Sequence, residues 1–497
     1  MKVEEHNDSL NASQKQAFGA ISSRTIASVV QILLSAKQAY FEETSSLAPL
    51  AVFRMLFGAA MVLSTARFLA LGWVQEQYIA PKVHFPYYGF EWVKPLHEYT
   101  LFGQHLPEAS MYAVFGVMLL SALGIMLGAW YRFASVAFFL VFTYVELLDK
   151  TYYLNHYYFV SVMSFVFTLL PAHRMCSVDT WRKPALHLDS VPRWMIDVVK
   201  FQVGIVYIFA GLAKINSEWL LRAMPLAIWL PANDTMPLIG SLFRFKETAF
   251  VFSWAGMLLD CTIPFWLSWK RSRLLAYTAV IVFHTLTGWM FQIGVFPLVM
   301  CLATPIFFSV RWHDSLVSWI RRVLPSPQPL SQKERGFQDS LSLWERAGVR
   351  DIRTILAFHC ILQLLIPCRV WLYDGNMFWT EEGYRFGWRV MLMEKAGDAT
   401  FYVKDAQTGR EGAVMNRDFL NAHQEKQMAM QPDMIVSFAH FLKQHYAAQG
   451  MVNPRVRAEV YVTLNGRPSR LYLDSTIDLS AQNDNFSQKH WILPFTP

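Results

Sequence analysis

Residues 110–130, SMYAVFGVMLLSALGIMLGAW, contain no charged side chain, and about 20 apolar residues are enough for a helix to cross a bilayer. A chain with several such stretches has few options. Backbone groups surrounded by lipid must bond within their own helix or within a closed barrel. Residues 292–310 are also uncharged, and 47–70 hold only Arg54 before Arg67. Of the 497 residues, 54% are hydrophobic, 15% aromatic and 16% charged, against about a quarter charged in soluble domains. A window of about 19 residues gives roughly nine spans, centred near Gly58, Leu120, Leu140, Ser161, Val206, Leu258, Val280, Met300 and Gln363. The predicted fold class is a polytopic α-helical membrane protein with a small C-terminal α+β extramembrane domain.

The net charge of +7 reads as membrane topology and not as a nucleic-acid surface, because the basic residues are scattered through short segments between spans. Arg132, Arg174, Arg182, Lys183, Arg193, Lys270, Arg271 and Arg273 fall on one side, with further basic residues from Arg311 to Arg350. The other side is poorer, with Lys82, Lys94, Lys150, Arg222, Arg244 and Lys246. That bias places the N-terminus in the cytoplasm and the C-terminal domain outside. The five cysteines form no CxxC pair, so neither a structural metal nor a disulfide framework is expected. Residues 1–45 lack the pattern of a removable signal peptide, and 26–41 fit an amphipathic surface helix.

Five segments are predicted: a cytoplasmic N-terminal segment (1–46), a membrane domain (47–323), a Ser/Pro/Gln-rich linker (324–350), a last span (351–373) and an outer α+β domain (374–497). In that last segment, 401–403 and 411–414 flank a Thr408-Gly409 turn, and 432–449 has helical periodicity. Residues 456–464 and 470–474 flank Asn465-Gly466, a pair suited to a tight primed turn.

Lys214 ends the apolar run IVYIFAGLAKI, residues 205–215. A lysine there must snorkel to the interface, find a partner or shed its proton, and the last option yields a free amine able to act as a base. The predicted topology puts other polar groups at the same level. Asp149, Asn155 and His156 stand at the outer end of the fourth span, and His284 lies roughly 10 Å below the outer edge of the seventh. Tyr207 is seven residues before Lys214, on about the same helix face. A snorkelling anchor, a packed histidine and a local Asp149–Lys150 ion pair are the ordinary readings of these residues. A cluster at one depth on three helices is the functional one, because ionisable groups in lipid are costly.

At these residues the chain resembles the vitamin K-dependent γ-carboxylase family, whose membrane part is the HTTM domain. The resemblance runs through LAVFRMLFG (50–58), SALGIMLGAWYR (121–132), ELLDKTYYLNHYY (146–158), VYIFAGLAKINSEW (206–219), MLLDCTIPF (257–265) and VFHTLTGWMFQIGVFP (282–297), and returns at TFYVKDAQTGREG (400–412). The resemblance implies oxidation of vitamin K hydroquinone (a menaquinol-type cofactor) by O2 to the epoxide. That oxidation is coupled to γ-proton abstraction from a glutamate-containing peptide or protein and to CO2 addition, with no metal. The family's base lysine falls on Lys214, its Asn-His pair on Asn155 and His156, a later histidine on His284, and a pocket tyrosine on Tyr207. Asp149 joins Asn155 and Tyr207 as a substrate- or quinol-binding candidate.

The chain stops soon after WILPF, where animal members continue into a β-rich extension, and near Trp388 it has Met393 and Glu394 where they carry a histidine. The compact form resembles prokaryotic members, implying an inner membrane with the site facing outward. Two alternatives stand beside the carboxylase: a quinol epoxidase without peptide carboxylation, and a non-enzymatic transport or ligand-binding protein.

Overall fold

The computed structural model describes residues 31, 35, 39–291, 293–323 and 343–495. The surface helix expected over 26–41 and the linker over 324–350 lie largely outside the described residues. In chain order the membrane part contains α1 (Ala48–Ala70), α2 (Ala109–Leu127), α3 (Tyr131–Leu148), α4 (Asn155–Leu169), α5 (Trp194–Ala213), α6 (Lys246–Ser268), α7 (Arg273–Met290), α8 (Phe296–Ala303), α9 (Val310–Val323) and α10 (Leu343–Cys368).

Among the described residues, six helices are long and apolar enough to cross a membrane: α1, α2, α3, α5, α6 and α10 with its short continuation. A seventh arises only if the segment beginning with α8 is joined to α9 across a 109° bend. The nine predicted spans are therefore not confirmed. At 1.5 Å per residue the 15-residue α4 is about 22 Å long, short of the ~30 Å apolar core. Helix α8 has only 8 residues. Helix α7 reaches 18 residues but is diluted by Arg273, His284 and three threonines.

The bundle is pinned by a charge. Arg54, in the middle of α1, is wholly buried, and its guanidinium faces carbonyl oxygens. Nη1 donates to Ile125 O and Met126 O (both 2.7 Å), Nη2 to Cys176 O (2.7 Å) and Nε to Ala172 O (3.1 Å). Ile125 and Met126 belong to the last turn of α2, which carries the negative end of the helix dipole; Ile125 O also accepts from the Gly128 amide (3.1 Å). Gly128 leaves room for no side chain. It has φ +64°, and a Cβ there would lie 2.8 Å from Arg54 Nη1 and 2.4 Å from Ser177 Cβ.

Beyond α10 the chain forms a four-stranded antiparallel sheet of β1 (Lys395–Lys404), β2 (Glu411–Ala413), β3 (Arg455–Leu464) and β4 (Arg470–Leu471), in the order β2-β1-β3-β4. Helices α11 (Ala422–Met428) and α12 (Pro432–Ala448) connect β2 to β3. Alternate residues of β3, among them Val456, Ala458, Val460 and Val462, are buried, as expected of a strand with one face on a core. Asn465 and Gly466 have φ of 50° and 71°, the left-handed pair that a primed turn requires.

This small unit is tied to the membrane helices by a buried ionic cluster. Lys150 Nζ, from the loop before α4, lies 2.9 Å from Asp484 and 3.1 Å from Asp433, and Arg385 reaches Asp433 at 2.5 Å. Burial alone would raise the Asp433 carboxyl, but Arg385 and Lys150 outweigh it and hold the group well below the usual carboxylate range. A carboxyl depressed on folding stabilises above its ordinary value near 4 and loses that contribution as pH falls toward the lowered value. Asp433→Asn is therefore expected to cost about 1.5–3 kcal/mol at neutral pH, the usual worth of hydrogen bonds to charged groups, leaving Lys150 with the carboxylate of Asp484. Melting curves of both proteins should differ by a constant amount from about pH 8 to 5 and converge below about pH 4. A gap that instead closed near neutrality would contradict this assignment.

Candidate functional site

A cavity lies among α5, α6, α7 and the start of α8, its space together with the open mouth amounting to ≈ 740 Å³; concave, mostly apolar sites of this kind are where small molecules bind. Its wall is apolar and largely aromatic, with Trp219, Trp229, Phe252, Phe283 and Phe291 among its members. Val390 and Met391, from the segment that leads into β1, complete it. Into this space converge four titratable side chains: Lys214, Asp260, Tyr207 and His284.

Lys214 follows directly on the last residue of α5. Its side chain folds back along the helix, where Nζ donates to Ala210 O (3.2 Å) and meets Asp260 Oδ2 at 2.8 Å. Both side chains are buried, with Lys214 5% and Asp260 4% exposed. Trp219 presents its ring 5.2 Å from Nζ, a favourable seat for a cation, and is fixed by a bond from Nε1 to Ser253 O on α6 (2.8 Å). The lysine has therefore found a partner and does not snorkel.

The meeting of α5 and α6 depends on Gly211. A Cβ there would fall 2.6 Å from both the backbone nitrogen and the Sγ of Cys261. Small residues permit such close helix contact in membranes. Gly211→Leu is expected to force the helices apart and lower stability by about 1–3 kcal/mol, the usual cost of overpacking. Thermal unfolding in nanodiscs measures this; an unchanged melting temperature would exclude the contact.

His284 on α7 is 1% exposed. Its Nε2 and the Tyr207 hydroxyl are 2.9 Å apart, while Nδ1 has no partner among the described residues. Phe296 stands between two histidines, its ring centroid 5.6 Å from that of His284 and 5.7 Å from that of His156. His156 is also buried, and its Nε2 likewise has no partner among the described residues. Asn155, at the first turn of α4, accepts from Tyr153 Oη (3.1 Å) and donates to Arg389 O (2.8 Å), next to Val390 of the cavity wall.

The six residues expected from sequence thus separate into layers. Lys214, Tyr207 and His284 line the cavity. His156 stands one contact away, through Phe296, and Asn155 bonds Arg389, the chain neighbour of Val390. Asp149 is not among the lining residues; its carboxylate accepts from Thr151 N (2.8 Å) and Gln424 Nε2 (3.1 Å), joining the turn after α3 to α11. Sequence reasoning missed Asp260, although an acid within an apolar span is itself a signal, and it missed Val390 and Met391.

With this geometry in place, two family models divide the chain. Residues 43–312 match the HTTM domain, and residues 350–497 match the lumenal domain of vitamin K-dependent gamma-carboxylase. No solved structure matches the chain.

Proposed function

This chain belongs to the vitamin K-dependent γ-carboxylase family, and from that premise we propose that its membrane cavity oxidises a vitamin K hydroquinone and couples that oxidation to carboxylation of glutamate. Members of the family use vitamin K hydroquinone, O2 and CO2 and act on glutamate-containing protein substrates. The observation that carries the reading is a buried lysine at the wall of a largely apolar cavity, 2.8 Å from a buried carboxylate.

The cavity suits such a group. Its aromatic walls match a flat ring with a lipid-soluble tail, and its few polar groups converge from different helices, including the unpartnered Nδ1 of His284. When bound, the hydroquinone supplies, on oxidation to the epoxide, the strong base that removes a glutamate γ-proton before CO2 adds. The chain's own residues do the rest. Lys214 takes a phenolic proton. The Tyr207–His284 pair fixes the second polar edge of the ring site. His156 and Asn155, beside the Arg389–Met391 segment, serve the glutamate and CO2 step. Asp149 acts at one remove by holding the turn after α3. In this reading the N-terminus is cytoplasmic and the C-terminal domain faces outward, as the positive residues of the loops favour.

The test uses the full chain in nanodiscs with vitamin K hydroquinone, a glutamate-containing peptide and labelled bicarbonate. Epoxide and peptide-bound label are expected together. Epoxide without label leaves quinol oxidation alone, and neither product from folded protein removes the enzymatic reading. His156→Ala is expected to lower label incorporation at least about tenfold more than epoxide formation. Equal loss of the two products would contradict this division of roles.

A further inference from the structure

At neutral pH an amine with an ordinary pKa near 10.4 is almost wholly protonated, so a lysine base needs somewhere to send its own proton before it can take another. Asp260 is placed to receive it, with Oδ2 2.8 Å from Nζ. The other partner of Nζ, the carbonyl of Ala210, cannot hold a proton. The remaining titratable groups around the pair are Tyr207 on α5, His284 on α7 and Cys261 on α6. Of the charged residues on neighbouring segments, Glu218 is engaged by Arg467 (2.6 Å) and Arg222 (3.6 Å), and Arg244 by Asp234 (3.1 Å). Asp260 is the one carboxylate lining the cavity among the described residues.

We infer that Asp260 is the proton-holding partner of Lys214, receiving the ammonium proton as the lysine takes the proton of a weakly acidic phenol. The inference rests on the hydroquinone reading above. In this step the phenol O–H bond breaks and an N–H bond forms on Lys214, while an ammonium N–H bond breaks and an O–H bond forms on Asp260. The negative charge moves from carboxylate to phenolate, and the ammonium stays between them. A lone neutral lysine would have to create a new pair of charges in apolar surroundings, which is costly. The pair only exchanges one anion for another. Asp260 acts through Lys214 and is a positioning residue, so its test needs more than loss of rate.

The experiment measures kcat and KM for hydroquinone oxidation by the full chain in nanodiscs as pH profiles between about pH 6 and 9.5. Wild type, Asp260→Asn and Asp260→Glu are compared. In Asp260→Asn a protonated Lys214 has no acceptor, so activity should appear only as the lysine itself loses its proton. The acid limb is expected to move up by about one pH unit or more, with kcat on that limb falling about tenfold for each unit of the shift and KM within about threefold of wild type. Asp260→Glu should return the limb toward its original position. A reduced but unshifted profile in Asp260→Asn would mean a purely structural role and overturn the inference.

Anaerobic addition of hydroquinone should also give wild type a protonated-carboxyl band in the infrared difference spectrum that Asp260→Asn lacks. If Asp260→Asn does not accumulate as folded protein, that band and the Asp260→Glu profile decide the matter, and absence of the band in wild type overturns the inference. Wild type that forms no epoxide removes the hydroquinone reading itself. An active wild type with an unshifted Asp260→Asn removes only the role given to Asp260.

Discussion

Lys214→Ala is expected to eliminate epoxide formation, with a loss of at least about 10²–10⁴-fold, the usual contribution of a positioned base. A methyl group cannot accept a proton. The substitution also strands the buried Asp260 carboxylate, and breaking a buried pair costs about 3–5 kcal/mol. Rate and stability must therefore be separated. Lys214→Arg serves that purpose, because a guanidinium keeps a cation beside Asp260 yet does not give up its proton near neutral pH. Both variants should be inactive, and only the alanine variant should melt substantially lower. Epoxide formation at the wild-type rate in either would end the assignment of Lys214.

The second large effect concerns assembly. Arg54→Leu removes four hydrogen bonds at once, leaving the carbonyls of Met126, Ala172 and Cys176 without their donor and Ile125 O with the Gly128 amide alone. Each unsatisfied buried acceptor costs about 1–3 kcal/mol, so the yield of folded, monodisperse protein should collapse. Arg54→Lys is expected to rescue little, because an ammonium has three donors on one point and lacks the planar fork that reaches four oxygens. Size-exclusion profiles and thermal unfolding would report it. A lysine variant as stable as wild type would show that only the charge matters.

Lys214, Tyr207 and His284 were legible because each is a polar side chain inside an apolar run, where its presence demands a reason. Asp260 raises the same demand from MLLDCTIPF, but its partner is 46 positions away. No local periodicity joins the two; the packing of α5 on α6, closest at Gly211, does. Val390 and Met391 gave no signal at all. They sit in an irregular stretch where Trp388 and Met391 have φ of 55° and 54°, conformations that no apolar pattern announces.

The nine-span count is left unconfirmed for a related reason. Hydropathy registers apolar side chains and not where a helix starts. The Asp149 carboxylate caps a short turn over Lys150–Tyr152, so α4 begins only at Asn155. Gly294 at φ 62° and Pro297 in the first turn delay α8 in the same way. The C-terminal hairpin, by contrast, was readable because Asn-Gly fixes its own backbone geometry.

Val390 and Met391 also settle what kind of object the cavity is. It is jointly owned: most of its wall is contributed upstream of residue 324 and the remainder downstream of residue 350. Two separate polypeptides divided between those positions would each hold an unfinished chamber. Turnover regained on mixing them would then be a direct signal of their reunion. A hybrid that borrowed its C-terminal portion from a distant relative would inherit a mismatched wall even with every membrane helix unaltered.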